Sequence, residues 1–99
     1  NGLSLSNNDA GAGNTIFGHN AGLSLDAGSD YNTFIGGNVS DASMNDATYN
    51  TGVGFNALSG LTTGDFNNVI GASAAQSLTT GQRNIMIGYG AGFTTTDVD

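Results

Sequence analysis

The chain is predicted to be all-β, a parallel β-solenoid or β-roll of about five coils of 17–18 residues. Three observations predict it. One five-residue phrase recurs: N-T-I-F-G from Asn14, N-T-F-I-G from Asn32, N-T-G-V-G from Asn50, N-N-V-I-G from Asn67 and N-I-M-I-G from Asn84. The glycines that close it, Gly18, Gly36, Gly54, Gly71 and Gly88, are separated by 18, 18, 17 and 17 residues, and a fixed period of this kind marks a repeat architecture. The 99 residues include 17 Gly and no Pro, Cys or Trp, and only 9% are charged, against about 25% in ordinary domains. Asn, Thr, Ser, Gly and Asp are the residues of turns and strand surfaces, while Glu and Lys, staples of helices, are absent.

Taken in order, residues 1–13 read as a partial or degenerate repeat that ends in Gly11 and Gly13. Residues 14–92 hold five tandem repeats starting at 14, 32, 50, 67 and 84. Residues 93–99 read as an acidic C-terminal tail or the start of a next repeat. The consensus is N-T-x-φ-G-x-N-A-x-x-x-L-x-x-G-x-x, where φ is a large apolar residue.

Each column of the repeat then has a structural expectation. Asn14, Asn32, Asn50, Asn67 and Asn84 should form an amide ladder, because stacked coils lie about 4.8 Å apart, within reach of side-chain hydrogen bonds. Gly18, Gly36, Gly54, Gly71 and Gly88 suit a corner of positive φ or close backbone approach. Asn20, Asn38, Asn56 and Ser73 read as a second polar ladder that lapses at Gly90, and Ala21, Val39, Ala57, Ala74 and Ala91 are small enough for a narrow interior. Tyr31, Tyr49 and Phe66 read as an aromatic stack, with Arg83 over the last ring; ring ladders contribute roughly 0.5–1.5 kcal/mol per pair beyond burial. A sugar-binding aromatic strip is the functional alternative for that column.

Side chains of a strand alternate between its faces, so positions three and four of the phrase point in opposite directions. Position four, Phe17, Ile35, Val53, Ile70 and Ile87, is expected to be the core stripe of each chain. Position three, Ile16, Phe34, Val69 and Met86 with Gly52 among them, is expected to face partner chains, since a strand apolar on both faces is covered on both. Two stack ends with unpaired strands add to the expectation of an oligomer.

The formal charge of -7, with Arg83 the sole basic residue besides a neutral His19, excludes a cationic groove for nucleic acid and attraction to an anionic membrane surface. No apolar run approaches the roughly 20 residues of a membrane helix. The Asp residues fall in no single column, as a calcium-binding repeat would require. Asp26 with Asp30, and Asp41 with Asp46, have no neighbouring group to set an acid apart from a base. No catalytic residue, metal site or cofactor is therefore expected. Thr15, Thr33 and Thr51 would suit an ice-binding face, but the column continues as Asn68 and Ile85.

The segments Asn14 to Gly22, Asn32 to Val39, Asn50 to Leu58, Asn67 to Ala75 and Asn84 to Gly92, with L-T-T-G at Leu61 and Leu78, resemble the N-T-x-[I/L/V]-G-x-x-A-G repeats of bacteriophage tail-fibre proteins. They are also similar to the head repeats of trimeric autotransporter adhesins, which are shorter than 17 residues. The coil after Asn38 departs from the pattern, reading V-S-D-A-S-M-N-D. The resemblance implies a homotrimeric fibre, intertwined or packed side by side, whose shaft or head serves host attachment. It implies an extracellular place, on a virion tail fibre or a bacterial cell surface, with partners in further copies of the chain and a host-cell surface glycan or protein. The alternatives are a bacterial adhesin or filament subunit and, further off, a polysaccharide-degrading spike enzyme or an ice-binding solenoid.

Overall fold

A computed structural model of the chain describes residues 5–6 and 11–99. It is all-β, and among the described residues no helix occurs. Among the described residues six short strands form one sheet in sequence order: β1 (Leu5–Ser6), β2 (Thr15–Phe17), β3 (Thr33–Ile35), β4 (Thr51–Val53), β5 (Asn68–Ile70) and β6 (Ile85–Ile87). Strands β2 to β6 pair in parallel with Ile16, Phe34, Gly52, Val69 and Met86 in one register column. Parallel neighbours need a crossover, and here each crossover is one turn of a β-solenoid. The chain stacks on itself coil by coil.

Strand β1 is different. It pairs antiparallel with β2, Leu5 opposite Phe17 and Ser6 opposite Ile16, so it lies across the edge of the sheet as no coil does. Residues 11–13 do stack as a coil would, the Tyr31 N–H donating to Ala12 O at 2.9 Å. The rest of the expected partial repeat in 1–13 lies outside the described residues. At the other end, residues 94–99 continue around the stack: the Thr79 N–H donates to Thr96 O at 3.0 Å and Asn84 Nδ2 to Val98 O at 2.7 Å.

The corners explain how so short a coil closes. Among the described residues twelve non-glycine residues have positive φ, and all but Asp46 fall into three columns. These are the residues preceding each ladder Asn (Tyr31, Tyr49, Phe66, Arg83), the residues two after each corner Gly (Asn20, Asn38, Asn56, Ser73), and those four after it (Ser40, Leu58, Ala75). Gly13, Gly90, Gly22 and Gly92 complete the same columns with φ of 56–68°. Left-handed backbone costs a non-glycine residue roughly 1–2 kcal/mol, so the coil-to-coil bonds must outweigh it at every corner. The corner glycines themselves have φ of 127–139°, and a Cβ on Gly18 would sit 2.3 Å from Gly36 O. That column is glycine because coils touch there backbone to backbone.

The two faces of the strands are the reverse of the sequence expectation. Position three fills the interior: Ile16, Phe34 and Val69 are buried, and Met86 packs against the core. Position four lies outside, with Phe17 40%, Ile35 39%, Ile70 45% and Ile87 66% exposed, and Val53 half-buried. The physical reason is volume. The interior also receives Ala21, Val39, Ala57 and Ala74 and the long side chains Met44, Leu58, Leu61 and Leu78 from the other walls, and only position three faces them. At Gly52 an added Cβ would meet Val39 Cγ1 at 2.8 Å and Leu58 Cδ1 at 3.2 Å. Neighbours already fill the space a side chain would take, which is how glycine comes to stand in a core column.

Candidate functional site: the amide column and the outer sheet face

The amide ladder is the most ordered polar feature of the molecule. Asn32, Asn50 and Asn67 are at most 1% exposed. In each, Oδ1 accepts from the next coil's Asn twice. Asn32 Oδ1 takes the Asn50 N–H at 2.8 Å and Asn50 Nδ2 at 3.1 Å; Asn50 Oδ1 takes the Asn67 N–H at 2.9 Å and Asn67 Nδ2 at 3.0 Å. Asn67 Oδ1 takes the same pair from Asn84, both at 3.0 Å, and Asn14 Oδ1 accepts the Asn32 N–H at 2.7 Å. The remaining Nδ2 hydrogen reaches across the coil to a carbonyl near its far end: Asn32 to Ala47 O, Asn50 to Gly64 O and Asn67 to Gly81 O, at 2.8–2.9 Å. One amide thus closes its own coil and ties it to the next. Among the described residues no buried side-chain nitrogen or oxygen lacks a partner.

The second polar column has another cause. Asn20 Nδ2 donates to Asn38 Oδ1 at 3.2 Å, but what the positions share is a φ of 54–64° from Asn20 through Ser73 to Gly90. Asn tolerates that conformation better than most residues, and Gly tolerates it fully, so the apparent lapse at Gly90 is no lapse.

The aromatic column is stacked as expected. Ring centroids are 5.1 Å apart from Tyr31 to Tyr49, inclined by 19°, and 5.1 Å from Tyr49 to Phe66, inclined by 1°. Tyr31, Tyr49 and Phe66 are each about half exposed. Tyr49 has a ring against each face, and Tyr31 lies where a Cβ on Gly13 would be. A sugar stacks on ring faces, so this geometry favours the structural role of the column. The Arg83 guanidinium is directed to Gln82 Oε1 at 3.1 Å and the Asp99 carboxylate at 3.8 Å, both on the surface.

The carboxylates act as fasteners between coils. Asp30 Oδ1 accepts the Ala12 N–H, Asp65 Oδ1 the Thr48 N–H and Asp99 Oδ1 the Gln82 N–H, at 2.6–2.7 Å. The Ser29 hydroxyl donates to Asp26 Oδ1, which also accepts the Asp46 N–H at 3.0 Å. Those bonds, the hydroxyl's first, hold the Asp26 carboxyl below its ordinary value. Hydroxyls of Thr79 and Thr80 do the same for Asp97. Asp26 and Asp46 are thus brought together by a backbone bond, a pairing the sequence did not suggest. Among the described residues no group of three or more His, Cys, Asp and Glu could hold a metal ion.

The outer sheet face is a second regular array that faces solvent, beside the aromatic column. It carries Thr15, Thr33, Thr51, Asn68 and Ile85 at position two beside Phe17, Ile35, Val53, Ile70 and Ile87 at position four. At the last coil Ile85 is 73% and Tyr89 88% exposed, and a shallow hollow opens between Ser73, Tyr89, Gly90 and Phe93. No described helix is long and apolar enough to cross a membrane. Set against known proteins, the chain matches no family model, no curated protein and no solved structure.

Proposed function

We propose that the chain is a structural module, shaft or head, of a homotrimeric extracellular fibre used in host attachment, a phage tail fibre first and a bacterial surface adhesin or filament second. It is not an enzyme in this reading, and its main partner is itself. The observation that carries the proposal is that the repeated polar residues are spent on holding coils together. Each ladder Asn uses its amide within the stack, and Asp30, Asp65 and Asp99 bind backbone N–H groups of the preceding coil. What repeats outward is an apolar stripe, which suits lateral packing of copies. Recognition of a host glycan or protein belongs to loops in such an arrangement. The outward column Thr15, Thr33 and Thr51, exposed at Thr15 and half-buried at the other two, would favour ice binding only if it continued, and it becomes Asn68 and Ile85.

Sedimentation equilibrium tests the proposal. The expected mass is three times the 9.9 kDa of one chain, and a monomer at all concentrations overturns it.

A further inference from the structure

We propose that the outer face of β2–β6, positions two and four, is the seam against other copies of this chain, and that the copies run parallel and level with one another. The inference rests on the self-association reading above and adds to it the face and the orientation.

Charge selects the face. A chain of net charge -7 with a single Arg meets like charge wherever two copies touch through their Asp-bearing sides. The seven described Asp residues all lie outside β2–β6, and positions two and four of those strands carry no ionisable group. Two copies can therefore bring these faces together without opposing carboxylates, and without stranding a charge in a dry contact, which would cost heavily. The face also leaves large apolar side chains uncovered, Phe17, Ile35, Ile70 and Ile87 among them, whereas the other half-exposed apolar column, Tyr31, Tyr49 and Phe66, has Asp30 and Asp65 as chain neighbours.

The occupant follows from spacing. Side chains recur along this face at the strand repeat of about 4.8 Å, and interdigitation needs a partner with the same repeat. A second copy supplies it. Orientation follows from the gradient along position two, from Thr15, Thr33 and Thr51 to Asn68 and Ile85. Parallel copies set hydroxyl against hydroxyl and Ile85 against Ile85. Antiparallel copies would set Ile85 against Thr15 at both ends.

Because the chain has no cysteine, any thiol crosslink of a single-Cys variant joins two chains. Packed sheets lie roughly 10 Å apart, so a bismaleimide of about that span is the probe. Phe17→Cys and Ile70→Cys should each be captured as crosslinked chains, and Thr63→Cys, on the return side of the coil, should not. Capture at Val53→Cys alone would mean antiparallel copies and overturn the orientation. Capture at Thr63→Cys but not Ile70→Cys would overturn the face. An oligomeric mass with no capture at any sheet position would overturn the seam while leaving self-association standing; a monomeric mass would overturn both. As a second readout, Ile70→Asp should raise the concentration at half-dissociation at least tenfold with an unchanged circular dichroism spectrum. An unchanged dissociation midpoint would count against the seam.

Discussion

Two columns of asparagine run up this molecule with the same spacing and for different reasons. In the column from Asn14 to Asn84 the side chain is the point: Asn32, Asn50 and Asn67 are buried, and their amides tie each coil to itself and to its neighbour. In the column from Asn20 to Asn56 the backbone is the point: its left-handed φ continues into Ser73 and Gly90, where the amide is gone and the turn is kept. A column that tolerates replacement within one chain is reporting conformation, and a column that does not is reporting chemistry.

The largest expected effect lies in the first column. Asn67→Ala removes two acceptor bonds to Asn84 and two donor bonds, to Asn50 and Gly81. With buried unsatisfied groups costing about 1–3 kcal/mol each, chemical denaturation should show a loss of about 3 kcal/mol. Asn84→Ala, in the half-buried outermost ladder position, should cost less than half of that. Equal losses would mean that the ladder bonds are not what is measured.

The second column gives the sharper contrast. Asn56→Ala places a Cβ-bearing residue without polar compensation at φ 61° and should cost about 1 kcal/mol. Asn56→Gly should melt within a degree or two of the parent chain, because the left-handed region is free to glycine. If Asn56→Gly proves as damaging as Asn67→Ala, the two columns are alike and the distinction fails.

The smallest effect concerns the third kind of polar link, carboxylate to backbone. The folded chain lowers the Asp26 pKa from 3.8, so the unfolded state binds the proton more readily. The stabilisation is then present above that value and lost as pH falls below it. The advantage of the parent chain over Asp26→Asn in thermal unfolding should shrink as pH drops below about 4, the ordinary carboxylate range. A difference that grows on acidification would reverse the sign.

The period, the amide ladder, the small interior column and the ring stack were all legible in the sequence, because each shows as one residue type at one spacing. The direction of the strand faces was not. Alternation says that Val69 and Ile70 point oppositely but not which points in, and both columns are apolar. A signal was nonetheless there: position three runs Ile, Phe, Gly, Val, Met, and such swings in size belong where neighbours compensate one another, as Phe34, Val39 and Leu58 do around Gly52. The left-handed aromatic corners were hidden for the opposite reason. Tyr31, Tyr49 and Phe66 are poor residues for positive φ, and only the assembled stack imposes it on them.

The volume exchange around Gly52 also bears on how such a molecule can change its length. The period makes length a ruler graduated in steps of about 4.8 Å, each step 17 or 18 residues long. Excising residues 50–66 would preserve every column, with Tyr49 running into Asn67 as Phe66 does now. It would also bring Val69 beside Phe34 and remove Leu58, which with Val39 fills the space at Gly52. The graduations are equal in height and unequal in fit. A ruler of this kind lengthens or shortens most readily between coils whose core residues are alike in size, and resists a cut that parts a small residue from the neighbours that fill its space.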